Sequence, residues 1–578
     1  MVKELEGSTE KQGGFLKSCM FIVIVLVVCH FIFLLLYFAP AISTPDAQGY
    51  FTQAKIIAKE GKTYLETESP VQYVGPHWLG RGDGRYYTTF PPGLPTILAV
   101  IYRIFGPKAS LLLNPLMASL SLLGLFLVCR SWIGERWGLL AVGFMVANPF
   151  ANEHALFGDS HTAVGFFLIW GLYFLIRWLR EGSGWCSFLA GLFIGIIPSI
   201  RYPEILFPVA VGIFVLLNLK TGRSWRSAIY GAVGLCIPIS ALLVRNSLAF
   251  GSFLRTGYSL SGEQSALGIR HLFHHAVPYL IKIMGEGAGP IFALAVMGLA
   301  SLCRDRNHWR EGVMFLLLIV PITLLYMCYY WRVDPQSMRF LLPTFFIYTI
   351  AGVWFLSILY EKYPALVGIG SIVLLTINTV WGLPQSILRM GRLKHNNEIL
   401  ARINSVVESE VPPGSIIIAK EGINQHLDFI GRWRLADATI LDLPRRRSPQ
   451  IFSGRRDPAE RKQRNLEAKL RYENLSEFEI FDLFSSDVWE WAENGSRVFW
   501  IMTEERYDNL RWRLSDHGRF ELVKEIRLPI RHVLPPPMDQ QKGFMRRGPA
   551  GPNQIFDLEL TGRPLLLIEW LRDPPTGS

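Results

Sequence analysis

The stretch "STPDAQGYFTQAKIIAKEG" (Ser43–Gly61) follows directly on "CMFIVIVLVVCHFIFLLLYFAPAI" (Cys19–Ile42). The first run is long enough to cross roughly 30 Å of hydrocarbon. The second reads as an amphipathic helix that opens on an acid. Asp46 takes the N-cap place and Gly61 the stop. Tyr50, Ala54, Ile57 and Ala58 fall on one face at helical spacing, the pattern of a helix lying along a bilayer surface. Asp46 and Tyr50 are four apart and point the same way. A cap explains an acid here without chemistry, and that reading stands beside a functional one.

Outward from this stretch, the apolar runs recur. The 578-residue chain is 50% hydrophobic, 13% aromatic and only 18% charged, too little charge to coat a soluble protein of this length. About eleven spans are expected, near 19–41, 109–129, 137–150, 162–178, 186–200, 204–219, 228–249, 289–303, 312–330, 340–359 and 364–383. The seven cysteines lie in or beside these runs, so no disulfide framework is present. "APA" (Ala39–Ala41) resembles a signal-peptidase site, but the apolar run before it is far longer than a signal core, so an uncleaved anchor is expected.

The net charge of +11 does not point to nucleic acid, because Lys and Arg sit at alternate ends of the spans. With the N-terminus inside, each inside loop is short and basic: Lys3, Lys11 and Lys17; Arg130 and Arg136; Arg177 and Arg180; Lys220, Arg223 and Arg226; Arg304, Arg306 and Arg310; Lys362. An odd number of spans then places the C-terminal domain outside. The expected organisation is a cytoplasmic tail (1–18), a membrane domain (19–385) with an outer loop at 43–107, and a soluble extracytoplasmic α/β domain (386–578). Polar material gathers outside, so function belongs to the outer face. A transporter would instead bury ionisable groups near mid-membrane and show paired broken repeats. Neither is evident.

Several segments in this order resemble the GT-C fold glycosyltransferases of the protein O-mannosyltransferase and aminoarabinose transferase type. They are the acid beyond the first span, then "FPPGLPTILAVIYRIFG", "LFGDSHTAVGFFLIWGLYFLIRW", "GLFIGIIPSIRYPEILFPV", "RNSLAFGSFLRTGY" and "MRFLLP", together covering roughly residues 15 to 385. The resemblance implies a mainly α, polytopic membrane enzyme of the bacterial inner (plasma) membrane. Its donor would be a polyprenyl-phosphate-linked sugar and its acceptor a hydroxyl on a lipid, glycan or protein, with inversion at the anomeric carbon. Asp46 matches the family's base, Tyr50 an aromatic that flanks the donor, and Asp159 the acid at the outer start of a later helix. Arg201 matches a basic position suited to phosphate, and Arg339 lies near another.

One feature departs from the pattern. Where some members carry Lys before Pro-Pro, this chain has Phe90, and His77, Arg81 or Arg85 of the same loop are the candidate substitutes. The bland readings are a helix cap for Asp159 and snorkelling to headgroups for Arg201 and Arg339. A divalent ion on Asp46 and Asp159 would suit hard-cation chemistry, but no pattern demands one, and no cofactor is expected. His271 and His275 of "HLFHH" lack further ligands nearby.

In the tail, "ILARINSVVESEV" and "RYDNLRWRLSDHG" read as helices, and "GSIIIAKE", "WRLADATIL", "SRVFWIMT" and "FELVKEIRL" as strands. A basic stretch, "LPRRRSPQIFSGRRDPAERKQR", and acceptor triplets at Asn474 and Asn494 add surface features. Two other functions compete with the transferase: a transporter or flippase of lipid-linked glycans, and a non-catalytic membrane scaffold.

Overall fold

The computed structural model describes residues 2–572 except 43, 82, 220–224, 331–336, 443–470, 473–474, 493–494, 530–553, 556–557 and 560–563. The basic stretch of the tail and the asparagines of both triplets, Asn474 and Asn494, lie outside the described residues. By contacts the chain divides into two compact units. A helical unit comprises Met1–Phe38, Leu112–Arg255 and Gln264–Gly391, and a mixed unit comprises Ala39–Leu111, Thr256–Glu263 and Arg392–Ser578.

Eight helices are long and apolar enough to cross a membrane among the described residues, and a pair bent by 117°, Ile269–Gly287 with Gly289–Arg304, makes up to a ninth. The expected spans at 137–150 and 186–200 are shorter, with helices of 12 residues (Glu135–Val146) and 17 residues (Gly184–Ile200). The second of these packs closely on Trp225–Phe250 through glycine. A Cβ at Gly191 would stand 1.9 Å from the Gly231 carbonyl oxygen, and one at Gly234 would stand 2.2 Å from that of Phe188. Such small-residue contact lets two backbones touch where no hydrophobic drive separates helix from lipid. The helical unit also buries a group that sequence reading passed over. His30 of the first span, 5% exposed, lies 2.9 Å from both Ser119 Oγ and Asn152 Oδ1. The final apolar helix does not end with the span expected at 364–383. It runs unbroken from Pro364 to Glu410, accommodating Pro384.

The mixed unit holds two main sheets. β1 (Tyr64–Glu66), β2 (Trp78–Gly80) and β3 (Arg85–Thr88) form an antiparallel sheet in the order β1-β3-β2. The tail forms a five-stranded sheet from β4 (Ile416–Ala419), β5 (Arg434–Asp437), β6 (Val498–Thr503), β7 (Arg519–Ile526) and β10 (Leu565–Leu571), in the order β5-β4-β6-β10-β7. The short strands β8 (Gln554–Ile555) and β9 (Leu558–Glu559) pair apart from it. The first three strands are parallel and the last two join antiparallel. The four tail strands expected from sequence are present, and β10 and the helices Glu421–Ile430 and Glu477–Trp491 were not foreseen.

The loop read as part of the membrane domain groups instead with the tail. The Tyr73 N–H donates to the Leu435 carbonyl at 2.7 Å and the Asp437 N–H to the Val71 carbonyl at 2.8 Å, so Val71–Tyr73 covers the open edge of β5. An uncovered edge would leave a row of backbone groups unpaired. Val71 itself enters the tail's core with Ile416, Ile418, Trp500 and Trp570.

Candidate active site

The helix bearing Asp46 runs from Pro45 to Glu60 and ends on Gly61 in the left-handed region, φ 69°, as its sequence position implied. Its start differs from expectation. Thr44 is the N-cap, its hydroxyl accepting from the Ala47 N–H, and Pro45 occupies the first helical position, which proline favours because its missing N–H is not needed there. Asp46 is therefore a residue of the first turn and not the N-cap. The helix does not present a free polar face either. Residues Ala47 to Ala54 are all buried, because the tail covers the side that a surface helix would give to water.

The carboxylate has a definite partner. His77 Nε2 lies 3.2 Å from Asp46 Oδ1, and both side chains are about a quarter exposed, 23% and 24%. His77 rests against Phe90, ring centroids 4.9 Å apart, and Phe90 stacks on Tyr50 at 4.4 Å with planes 19° apart. Tyr258 meets Phe90 edge-on at 6.4 Å. Two glycines permit this stack. A Cβ at Gly49 would fall 2.7 Å from the Phe90 ring, and one at Gly257 would fall 2.3 Å from the Thr89 carbonyl oxygen. Phe90, standing where lysine was expected, is thus the floor under an acid and an imidazole. Tyr50, at 1% exposure, is part of that floor.

Of the three candidate substitutes for the missing lysine, the structure brings His77 to Asp46. Arg85 lies on β3 and pairs with Glu66 at 3.2 Å on an exposed edge, where the Lys62 hydrogen bond first and Arg85 second hold the Glu66 carboxyl below its ordinary range. Arg81 is exposed in the turn before it.

The remaining candidates belong to the helical unit. Asp159 is 1% exposed, accepts from the His161 N–H at 3.2 Å and lies 2.7 Å from His154 Nδ1. The helix it was expected to cap begins at His161, with Ser160 as N-cap. Arg201 neither snorkels nor stands at an open tip. It is 5% exposed, and its Nε donates to Glu204 at 2.7 Å. Its other nitrogens reach Ser160 Oγ (3.3 Å), His161 Nε2 (3.4 Å) and the Tyr326 hydroxyl (3.0 Å). Asp159 and Arg201 therefore meet through residues 160 and 161. Arg339 and Arg201 both face the Phe340 ring, each 5.3 Å from its centroid. Among the described residues no group of three His, Cys, Asp or Glu side chains is gathered to hold a metal, and His271 and His275 stack ring on ring at 5.7 Å.

Residues 89–244 match the family described as dolichyl-phosphate-mannose-protein mannosyltransferase. The crystal structure of ArnT from Cupriavidus metallidurans in the apo state matches 96% of this chain and 98% of its own, with a TM-score of 0.54 and 12% identity. ArnT from the same organism bound to undecaprenyl phosphate matches 87% of this chain and 96% of its own, with a TM-score of 0.56 and 13% identity. The chain has the GT-C fold. No protein of curated function matches it in sequence. Within this GT-C fold the family match takes in Phe90, Asp159 and Arg201 but begins after Asp46 and His77. That pair rests on geometry. A histidine directly before Trp78, in a loop offered as the source of a substitute for the missing lysine, was the local signal for it.

Proposed function

We propose that this chain is an integral membrane glycosyltransferase that moves a sugar from a polyprenyl-phosphate donor to a hydroxyl on a lipid, glycan or protein, outside the cytoplasm and with inversion. The observation that carries the proposal is the Asp46–His77 pair at 3.2 Å, partly open on an aromatic floor. The GT-C fold and the undecaprenyl phosphate bound in the ArnT structure support the donor class.

The chemistry needs one base. The acceptor hydroxyl gives its proton to Asp46 while its oxygen forms the bond to the anomeric carbon. The bond from that carbon to the phosphate oxygen breaks, and its electron pair leaves with the polyprenyl phosphate. A phosphate needs no strong acid to leave, so a single positioned carboxylate suffices. His77 holds one carboxylate oxygen and so fixes the direction of the base. Arg201 is already neutralised by Glu204, and we assign it the bracing of the Asp159 corner. Arg339 keeps the proposed role of phosphate contact. The proposed location is the bacterial inner membrane with the tail on the outer side.

The test is release of polyprenyl phosphate by the purified chain from a panel of polyprenyl-phosphate sugars. Asp46→Asn is expected to lower turnover by about 10²- to 10⁴-fold while donor binding persists. If Asp46→Asn and wild type turned over a panel member at equal rates, the base assignment would fall.

A further inference from the structure

We propose that Asp428, in the tail, is a positioning residue for the Asp46 helix, so that the tail acts in catalysis by holding the base. The proposal rests on the reading of Asp46 as that base. Asp428 gathers three side chains from one stripe of the Pro45–Glu60 helix. Its Oδ2 accepts from Gln48 Nε2 at 3.0 Å and from the Thr52 hydroxyl at 2.9 Å, and its Oδ1 accepts from Lys55 Nζ at 2.6 Å. Gln48 also donates to Thr52 at 3.2 Å, which closes the group. Gln48 and Asp428 are 380 residues apart in sequence.

The other side of Asp46 is held by the same helix. His426 Nδ1 accepts the Ile42 N–H at 3.2 Å. Asp46 is thus bracketed, four residues after one anchor and two before the other, and both anchors come from Glu421–Ile430. That helix is itself fixed. Gly422 to Leu427, Phe429 and Ile430 are buried. The Tyr102 hydroxyl donates to the Phe429 and Ile430 carbonyls at 3.2 and 3.1 Å, and Phe429 meets Phe51 edge-on at 5.2 Å. Gly431 ends it at φ 68°, where a Cβ would stand 2.7 Å from Lys55 Cδ, so both its conformation and its smallness admit the lysine. A contact that only stabilised the unit could lie anywhere on the helix. This one starts at Gln48 in the first turn and runs on through Thr52 and Lys55, so it sets the line of the helix that carries Asp46, where a displacement of about 1 Å is enough to slow a reaction by about a hundredfold.

The experiment uses the full chain in detergent, with Asp428→Ala, Asp428→Glu and, as a milder cut of the same contact, Lys55→Met. Hydrogen exchange over residues 45–55 reads the clamp, and release of polyprenyl phosphate from the donor that wild type turns over reads the chemistry. The expected result for Asp428→Ala is exchange faster by about tenfold or more and kcat lower by about tenfold or more, with KM within about twofold of wild type. Asp428→Glu should recover most of both, and Lys55→Met should fall between. Unchanged exchange in Asp428→Ala overturns the clamp, and loosened exchange with unchanged kcat overturns its role in catalysis. Should Asp428→Ala not fold, Lys55→Met decides by the same two readouts. The two possible failures separate cleanly: an active Asp46→Asn sinks the base, whereas an inactive Asp46→Asn with an active Asp428→Ala sinks the positioning alone.

Discussion

Removing Arg201 should destabilise the helical unit far more than removing Arg201 and Glu204 together. The guanidinium is 5% exposed and the Glu204 carboxylate 0%. Their contact is 2.7 Å, and the Tyr326 hydroxyl, 3.3 Å from the same carboxylate oxygen, is a weak second partner. In Arg201→Met the carboxylate keeps its buried place and loses its cation, a change that costs about 3–5 kcal/mol. In the double Met variant neither charge remains to be desolvated, and the cost falls to that of the lost contacts with Ser160 and Tyr326, about 1–2 kcal/mol. The double should therefore be more stable than Arg201→Met alone by about 2–3 kcal/mol. Equilibrium unfolding in mixed micelles, run on wild type, both singles and the double, measures it. If Arg201→Met matched wild type in stability, or the double lost as much as the two singles summed, the pair would not be the brace described. A primary role in phosphate binding would then return.

Two further outcomes are expected of the mixed unit. Burial, with Lys108 behind it, pushes His426 down to about 4, below an ordinary value of about 6.5. The folded chain keeps this ring neutral while the unfolded chain binds the proton, so its contribution is complete above pH 6.5 and declines by about 1.4 kcal/mol per unit, about 3 kcal/mol in all, as pH falls to about 4. Melting midpoints of wild type and His426→Asn across this window check it, and equal slopes would refute it. Gly75→Ala should expel Gln48, since a Cβ there would stand 2.1 Å from Gln48 Oε1, at a cost of about 1–3 kcal/mol. Gln48→Ala in the same chain should restore the melting midpoint, and a failure of that rescue would place the strain elsewhere.

The spans were legible because length and composition alone define them, and Gly61 because a helix that ends on a left-handed residue selects glycine. The cap was legible too, but was misread. Thr44 followed by Pro45 is the pattern of an N-cap and first position, and it moves Asp46 one residue inside the helix. The tail strands showed in their β-branched runs, whereas β10 enters between β6 and β7 from the far end of the chain, an order that no local pattern specifies. His77 at Asp46 was one of three candidates in its loop. Only the fold, by setting Arg85 on Glu66 and His77 against Phe90, separated them.

The reading of a surface helix left its polar face to water, whereas the tail buries that face. Amphipathic spacing reports that a helix has two kinds of face, and the polar one is ordinarily assigned to water. Here the polar residues of the first half are Gln48, Thr52 and Gln53, all uncharged and all at or below 1% exposure, while Lys59 and Glu60 come only in the last turn. Neutral hydrogen-bonding side chains are a poor choice for a solvated face, where charge is common and costs nothing to leave exposed. They suit a face buried against a single carboxylate, where Gln48 and Thr52 both donate to Asp428 without a second desolvated charge. Lys55 pairs with Asp428 at 2.6 Å and supplies the opposite charge. The composition of the polar stripe, more than its spacing, held the information that another part of the chain lies over it.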